Sequence, residues 1–159
     1  MILDAEFDAI ALPILKSPLY APTKEYVAHG NTSVYDHCLN VATSAYAYAK
    51  SKKMKIDYHA LIRGALLHDY YLYDWHDKQN RAKYHGFSHP FIAARNAKRD
   101  FHLNEKELHI IEAHMFPLVF WIFPGSKEAR LVSKFDKKCC SAEHKGKPIP
   151  LFPKLNRAN

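Results

Sequence analysis

The sequence predicts an all-α fold, and three observations carry that prediction. Residues that start helices stand ahead of apolar segments at Ser33, Asp57, Ser88, Asn104 and Ser126. Within those segments apolar side chains recur at helical spacing, and no run alternates as a half-buried strand would. No internal repeat or second domain is visible, and 159 residues suffice for one sizeable core.

The first segment opens on Ser33-Val34-Tyr35-Asp36, which reads as a capping box for a helix to about Lys52. Its apolar stripe runs through Val34, Cys38, Val41, Ala45 and Tyr48. Asp57 caps a second helix, from Tyr58 to about Tyr71. Leu61, Ile62, Ala65, Leu66 and Leu67 leave it little polar surface, so it belongs at the centre of the core. The aromatic, polar stretch from Asp74 to Phe87 reads as a loop. Ser88 then caps a helix to about Asp100, with Pro90 in its first turn, where proline is tolerated. Asn104 and Glu107 form a capping box, with Leu103 and Leu108 at the staple positions, for a helix through His114. Ser126 caps the last long helix, to about Glu143. The helical domain is expected over residues 1–143. The tail, 144–159, carries Pro148, Pro150 and Pro153 and is expected to be extended or partly disordered.

Composition sets outer bounds. No apolar run reaches the ~18–20 residues that span a bilayer, and the acidic N-terminus has no signal-peptide pattern. Three cysteines, two of them adjacent, make neither a disulfide framework nor a CxxC knuckle, so a cytoplasmic setting is expected. A net charge of +7 favours anionic partners, although the lysine clusters at 50–55 and 134–147 also suit solvated helix ends. Nucleic acid is not favoured, because no aromatic-basic ladder or groove-reading motif is present. Nucleic-acid binding would show as a steep salt dependence. The unusual feature is histidine, at eleven residues.

His37, the pair His68-Asp69, His89, His114 and Asp136 fall on separate predicted helices, apart from the adjacent pair. Burying the pair at the end of an apolar helix costs several kcal/mol unless a cation compensates the carboxylate. A divalent metal does so, and imidazole with carboxylate suits Fe, Mn, Zn, Co or Ni better than Ca. His37 and Asp136 supply a second imidazole and a second anion. Four ligands on a six-coordinate ion leave positions for water and a substrate oxygen. In the loop after the pair, His76 and His85 are candidates to reach substrate, and Arg81 and Lys83 to contact phosphate oxygens. His29, just before the first motif helix, is a weaker candidate.

These segments resemble the HD-domain metal-dependent phosphohydrolase superfamily, an all-α helical bundle defined by H…HD…D. The resemblance runs roughly from His29 to Glu143. It rests on Ser33-Val34-Tyr35-Asp36-His37, Leu66-Leu67-His68-Asp69 and Val132-Ser133-Lys134-Phe135-Asp136. It implies that His37, His68, Asp69 and Asp136 hold one metal ion. His89 and His114 resemble the extra ligands of binuclear members, in which Asp69 would bridge two ions. The implied activity is hydrolysis of a small phosphorylated metabolite, a nucleotide foremost, by metal-activated water. His68 and Asp69 would be its catalytic pair. The same donor set also resembles the superfamily's di-iron oxygenases, and a nucleotide-binding module that keeps the site is a further alternative. The chain departs from several subfamilies. Tyr70-Tyr71 replaces the Gly-Lys that often follows the pair. His114-Met115-Phe116-Pro117 lacks the cyclic-dinucleotide phosphodiesterase signature, and Leu72-Tyr73 stands where alarmone hydrolases have Glu-Asp.

Overall fold

The computed structural model describes residues 2–149, and the part of the tail from Pro150 onward lies outside them. Within these residues six α-helices surround one core: α1 (Ala5–Leu15), α2 (Val34–Ser51), α3 (Tyr58–Leu67), α4 (His85–Phe101), α5 (Glu105–Glu112) and α6 (Lys127–His144). The all-α expectation holds, with one small addition. Val27–His29 (β1) pairs antiparallel with Thr32–Ser33 (β2) around Gly30, whose φ of +58° suits a residue without a Cβ.

The caps act as the sequence implies. Side chains of Ser33, Asp57, Asn104 and Ser126 each accept a backbone N–H of the first turn, and Asn104 with Glu107 completes a reciprocal box. At α2 the box is incomplete, because Ser33 Oγ instead donates to the Asp36 carboxylate at 2.7 Å. Helix α3 is central: Ala60, Leu61, Ile62, Gly64, Ala65, Leu66 and Leu67 are all buried, and α1, α2, α5 and α6 pack around it.

Several boundaries differ from expectation. Helix α3 stops at Leu67 rather than Tyr71. The chain turns there through Tyr70 N–H to the Leu67 carbonyl and Tyr71 N–H to the Asp69 carbonyl, then passes Leu72 at φ +62°. Asn96 Nδ2 donates to the carbonyls of Tyr70 and Tyr71, giving those buried groups a partner beyond the helix end. Helix α4 begins at His85, after a left-handed Tyr84, so Ser88 lies inside it and its hydroxyl donates back to the carbonyls of Lys83 and Tyr84. Helix α5 ends at Glu112, which leaves His114 in the turn that follows. Helix α1 was not anticipated. Its signals are nonetheless local: Asp4 caps Phe7 N–H, and Phe7, Ile10, Ala11, Ile14 and Leu15 repeat at helical spacing.

Candidate metal centre

Three helices and two turns bring the six ligand candidates to one place. His37 comes from the first turn of α2, His68 and Asp69 from the end of α3, and His89 from α4. His114 follows α5, and Asp136 sits mid-way along α6. All six side chains are buried.

They form two groups that share one carboxylate. In the first, His37 Nε2 lies 3.2 Å from His68 Nε2 and 3.1 Å from Asp136 Oδ1. Asp69 Oδ2 closes it at 3.8 Å from His37 Nε2 and 3.7 Å from His68 Nε2. In the second, His89 Nε2 lies 3.0 Å from His114 Nε2, and Asp69 Oδ1 is 3.3 Å from the former and 3.5 Å from the latter. One oxygen of Asp69 therefore faces each group.

The tautomers are fixed from behind. Nδ1 of His68, His89 and His114 each donates at 2.7 Å to a backbone carbonyl, those of Ala65, His85 and Ile111. His37 Nδ1 donates at 2.7 Å to Glu143 Oε2. A carbonyl or carboxylate can only accept, so each Nδ1 carries a proton, and a ring in its neutral form turns an Nε2 lone pair inward. In the second group three lone-pair bearers then face one another, and Asp69 Oδ1 is a buried oxygen with no hydrogen-bond partner. That arrangement is unfavourable without a cation. Two ligands at ~2.1 Å from a common ion, at right or tetrahedral angles, stand roughly 3.0–3.4 Å apart. Most of the separations above fall close to that spacing. The residues fit a divalent metal, and the shared Asp69 fits two.

Electrostatics give the same picture. Burial opposes charge on Asp69, but His68, His89 and His114 hold its carboxyl well below the usual range. Asp136 is likewise lowered against burial, chiefly by His37 and His68. Burial also opposes a proton on His37, yet the Asp136 and Glu143 carboxylates push it up to about 10. Burial opposes a proton on His68 too, but Cys38 and the carboxylates of Asp69 and Asp136 raise it well above the usual imidazole range. His114, buried and close to His68, is pushed down to about 3. Protons therefore gather in the first group when no metal neutralises its carboxylates.

A pocket of about 1190 Å³ opens onto this centre, with Asp69, His89, His114 and Asp136 in its lining. Arg81, Lys83 and His85 line it too, joined by Lys78 and Lys137, which the sequence did not single out for this role. His76 is absent from the lining. It is exposed, bonded to Asp74 and packed on Trp75. Burial and the nearby His89 push His85 down to about 4, and its ring stacks on Trp75. Sequence reasoning also missed Glu143. Its signal was a spacing of seven from Asp136, which places both on one face of a helix.

Residues 34–139 of the 159 match the family model for the HD domain. The chain belongs to the HD domain family. The match begins at the first residue of α2 and ends in α6, so it spans the H…HD…D residues. Members of the HD superfamily are generally metal-dependent hydrolases, and the His/Asp groups of this HD domain are arranged for divalent metal. No curated protein and no solved structure shows significant similarity to the chain. Among the described residues no helix of this HD protein is long and apolar enough to cross a membrane.

Proposed function

We propose that this HD domain is a binuclear metal-dependent phosphohydrolase acting on a small phosphorylated metabolite, a nucleotide foremost. The observation that carries the reading is Asp69, whose two oxygens each face a group of inward-turned imidazoles. When bound, divalent ions supply Lewis acidity that activates water and neutralises charge on phosphoryl oxygens. The chain's residues do the rest. His37, His68 and Asp136 would hold one ion, His89 and His114 the other, and Asp69 would serve both. Arg81, Lys83 and Lys78 offset charge on the phosphate. His85 stays uncharged at neutral pH, and with Trp75 and Tyr71 it offers flat ring surface to a base. The pocket's volume leaves room for a base and a phosphate together.

The test is metal analysis of protein purified without chelator, followed by a phosphomonoesterase and phosphodiesterase panel. Turnover that needs added Mn or Fe, at near two equivalents bound, supports the reading. Less than about half an equivalent, with no rescue by either metal, rejects it. Strict dependence on O₂ would assign the same donor set to oxygenase chemistry instead.

A further inference from the structure

Beside the binuclear centre, His29, Cys140 and His144 converge at the edge of the pocket. Cys140 and His144 are four residues apart on α6 and so share a face. His29 reaches them from the end of β1, and its ring centroid lies 5.1 Å from that of His144. The three donor atoms lie within 4.8 Å of one another. Cys140 is a free thiol, and among the described residues none of these three side chains has a hydrogen-bond partner. His29 is also within reach of His37 and Asp69. Both nitrogens of His37 are already engaged, by Glu143 on one side and by Asp136 and His68 on the other, so His29 is free to serve the outer group.

We propose that His29, Cys140 and His144 form a further metal site, separate from the His/Asp centre and suited to a zinc-like divalent ion. A thiolate with two imidazoles selects Zn or Co over Mn, Mg and Ca, whereas carboxylate-bearing groups accept harder ions. On binding, the Cys140 thiol gives up its proton to solvent and its sulfur becomes a ligand. Three protein ligands leave a further position for water or an anionic group. His29 and Cys140 both line the main pocket, so an ion held there adds positive charge to the wall that meets substrate. The site does not depend on the phosphohydrolase reading.

The test is anaerobic titration of the metal-free full chain with Co(II), followed by absorption. Expected is a near-ultraviolet thiolate-to-cobalt charge-transfer band, with one equivalent more bound than in Cys140→Ser. His29→Ala and His144→Ala should each weaken the apparent affinity of the absorbing site by tenfold or more. Asp69→Asn, which disrupts the binuclear centre, should keep the band, so failure of that centre and failure of this site read differently. Circular dichroism verifies that each variant keeps its helices. Absence of the band, its persistence in Cys140→Ser, or equal stoichiometry in wild type and Cys140→Ser overturns the proposal.

Discussion

Glu143 holds His37 from behind, with its Oε2 2.7 Å from His37 Nδ1, two helical turns beyond Asp136 on the same helix. Asn40 Nδ2 donates to the other oxygen at 3.1 Å, so the carboxylate is clamped between two residues of α2. A carboxylate behind a ligating imidazole orients the ring and raises its basicity. Glu143→Gln should therefore keep the fold while weakening metal affinity about 10- to 100-fold. Competition against a chromophoric chelator measures this. Unchanged affinity would mean that Glu143 only packs α6 against α2.

The two groups should empty independently. His114→Ala removes a donor that sits beside Asp69 Oδ1 and His89, and His37→Ala removes one from the other side. Each variant is expected to retain roughly one equivalent of Mn or Fe where wild type binds about two. Asp69→Asn should lose both. Metal analysis after desalting reads the difference, and a full complement in His114→Ala would contradict a shared carboxylate.

Acid should act on a joint far from the metal centre. Glu128, at the start of α6, accepts the Asp57 N–H at 2.7 Å and Lys106 Nζ at 2.9 Å, tying the start of α3 to α6. Burial opposes its charge, but these partners hold its pKa below the ordinary 4.5. The folded pKa is lowered, so the stabilisation is complete above 4.5 and is lost as pH falls through the folded value. Glu128→Gln should cost about 1 kcal/mol near neutral pH. The gap to wild type should shrink in acid below the carboxylate range. Urea unfolding of both proteins across pH 3–7 measures it, and a gap that widened in acid would reverse the sign.

Helices α3 and α5 touch at Gly64, where an added Cβ would lie 2.6 Å from Ile110 Cγ2. Gly64→Ala gains helix propensity of up to ~1 kcal/mol, yet overpacking costs roughly 1–3 kcal/mol. A net loss of about 1 kcal/mol is expected. Pairing it with Ile110→Ala should cost less than the two changes summed, because the clash disappears with that side chain.

Much of this was legible because the relevant signals are local. Ser33, Asp57, Asn104 and Ser126 each announce a helix through a bond only three residues long. His68-Asp69 at the end of a largely apolar helix implied a buried charge in need of compensation, and the structure buries both. What stayed hidden depends on partners distant in sequence. Asn96 holds the turn after α3 by taking the carbonyls of Tyr70 and Tyr71, some 25 residues away. Ser88 resembled a cap, but the left-handed Tyr84 starts α4 sooner, and nothing at Tyr84 itself marks that conformation. His76 and His85 looked equivalent in the loop. Both rings pack on Trp75, and only the bonds to Asp74 on one side and Tyr73 on the other separate the exposed ring from the one lining the pocket.

That early start of α4 has a consequence of its own. It places His85 one turn ahead of His89, so the His85 carbonyl receives the His89 Nδ1–H while the two rings stack at 4.6 Å. One ring borders the cavity and the other points a lone pair at the shared carboxylate. A molecule leaning on the outer ring would have a short lever to the inner one, and through it to the ligand field of an ion that His89 would hold. With such an ion bound, the centre would be its own reporter. The colour or paramagnetism of a suitable ion would register an occupied cavity before any bond is broken.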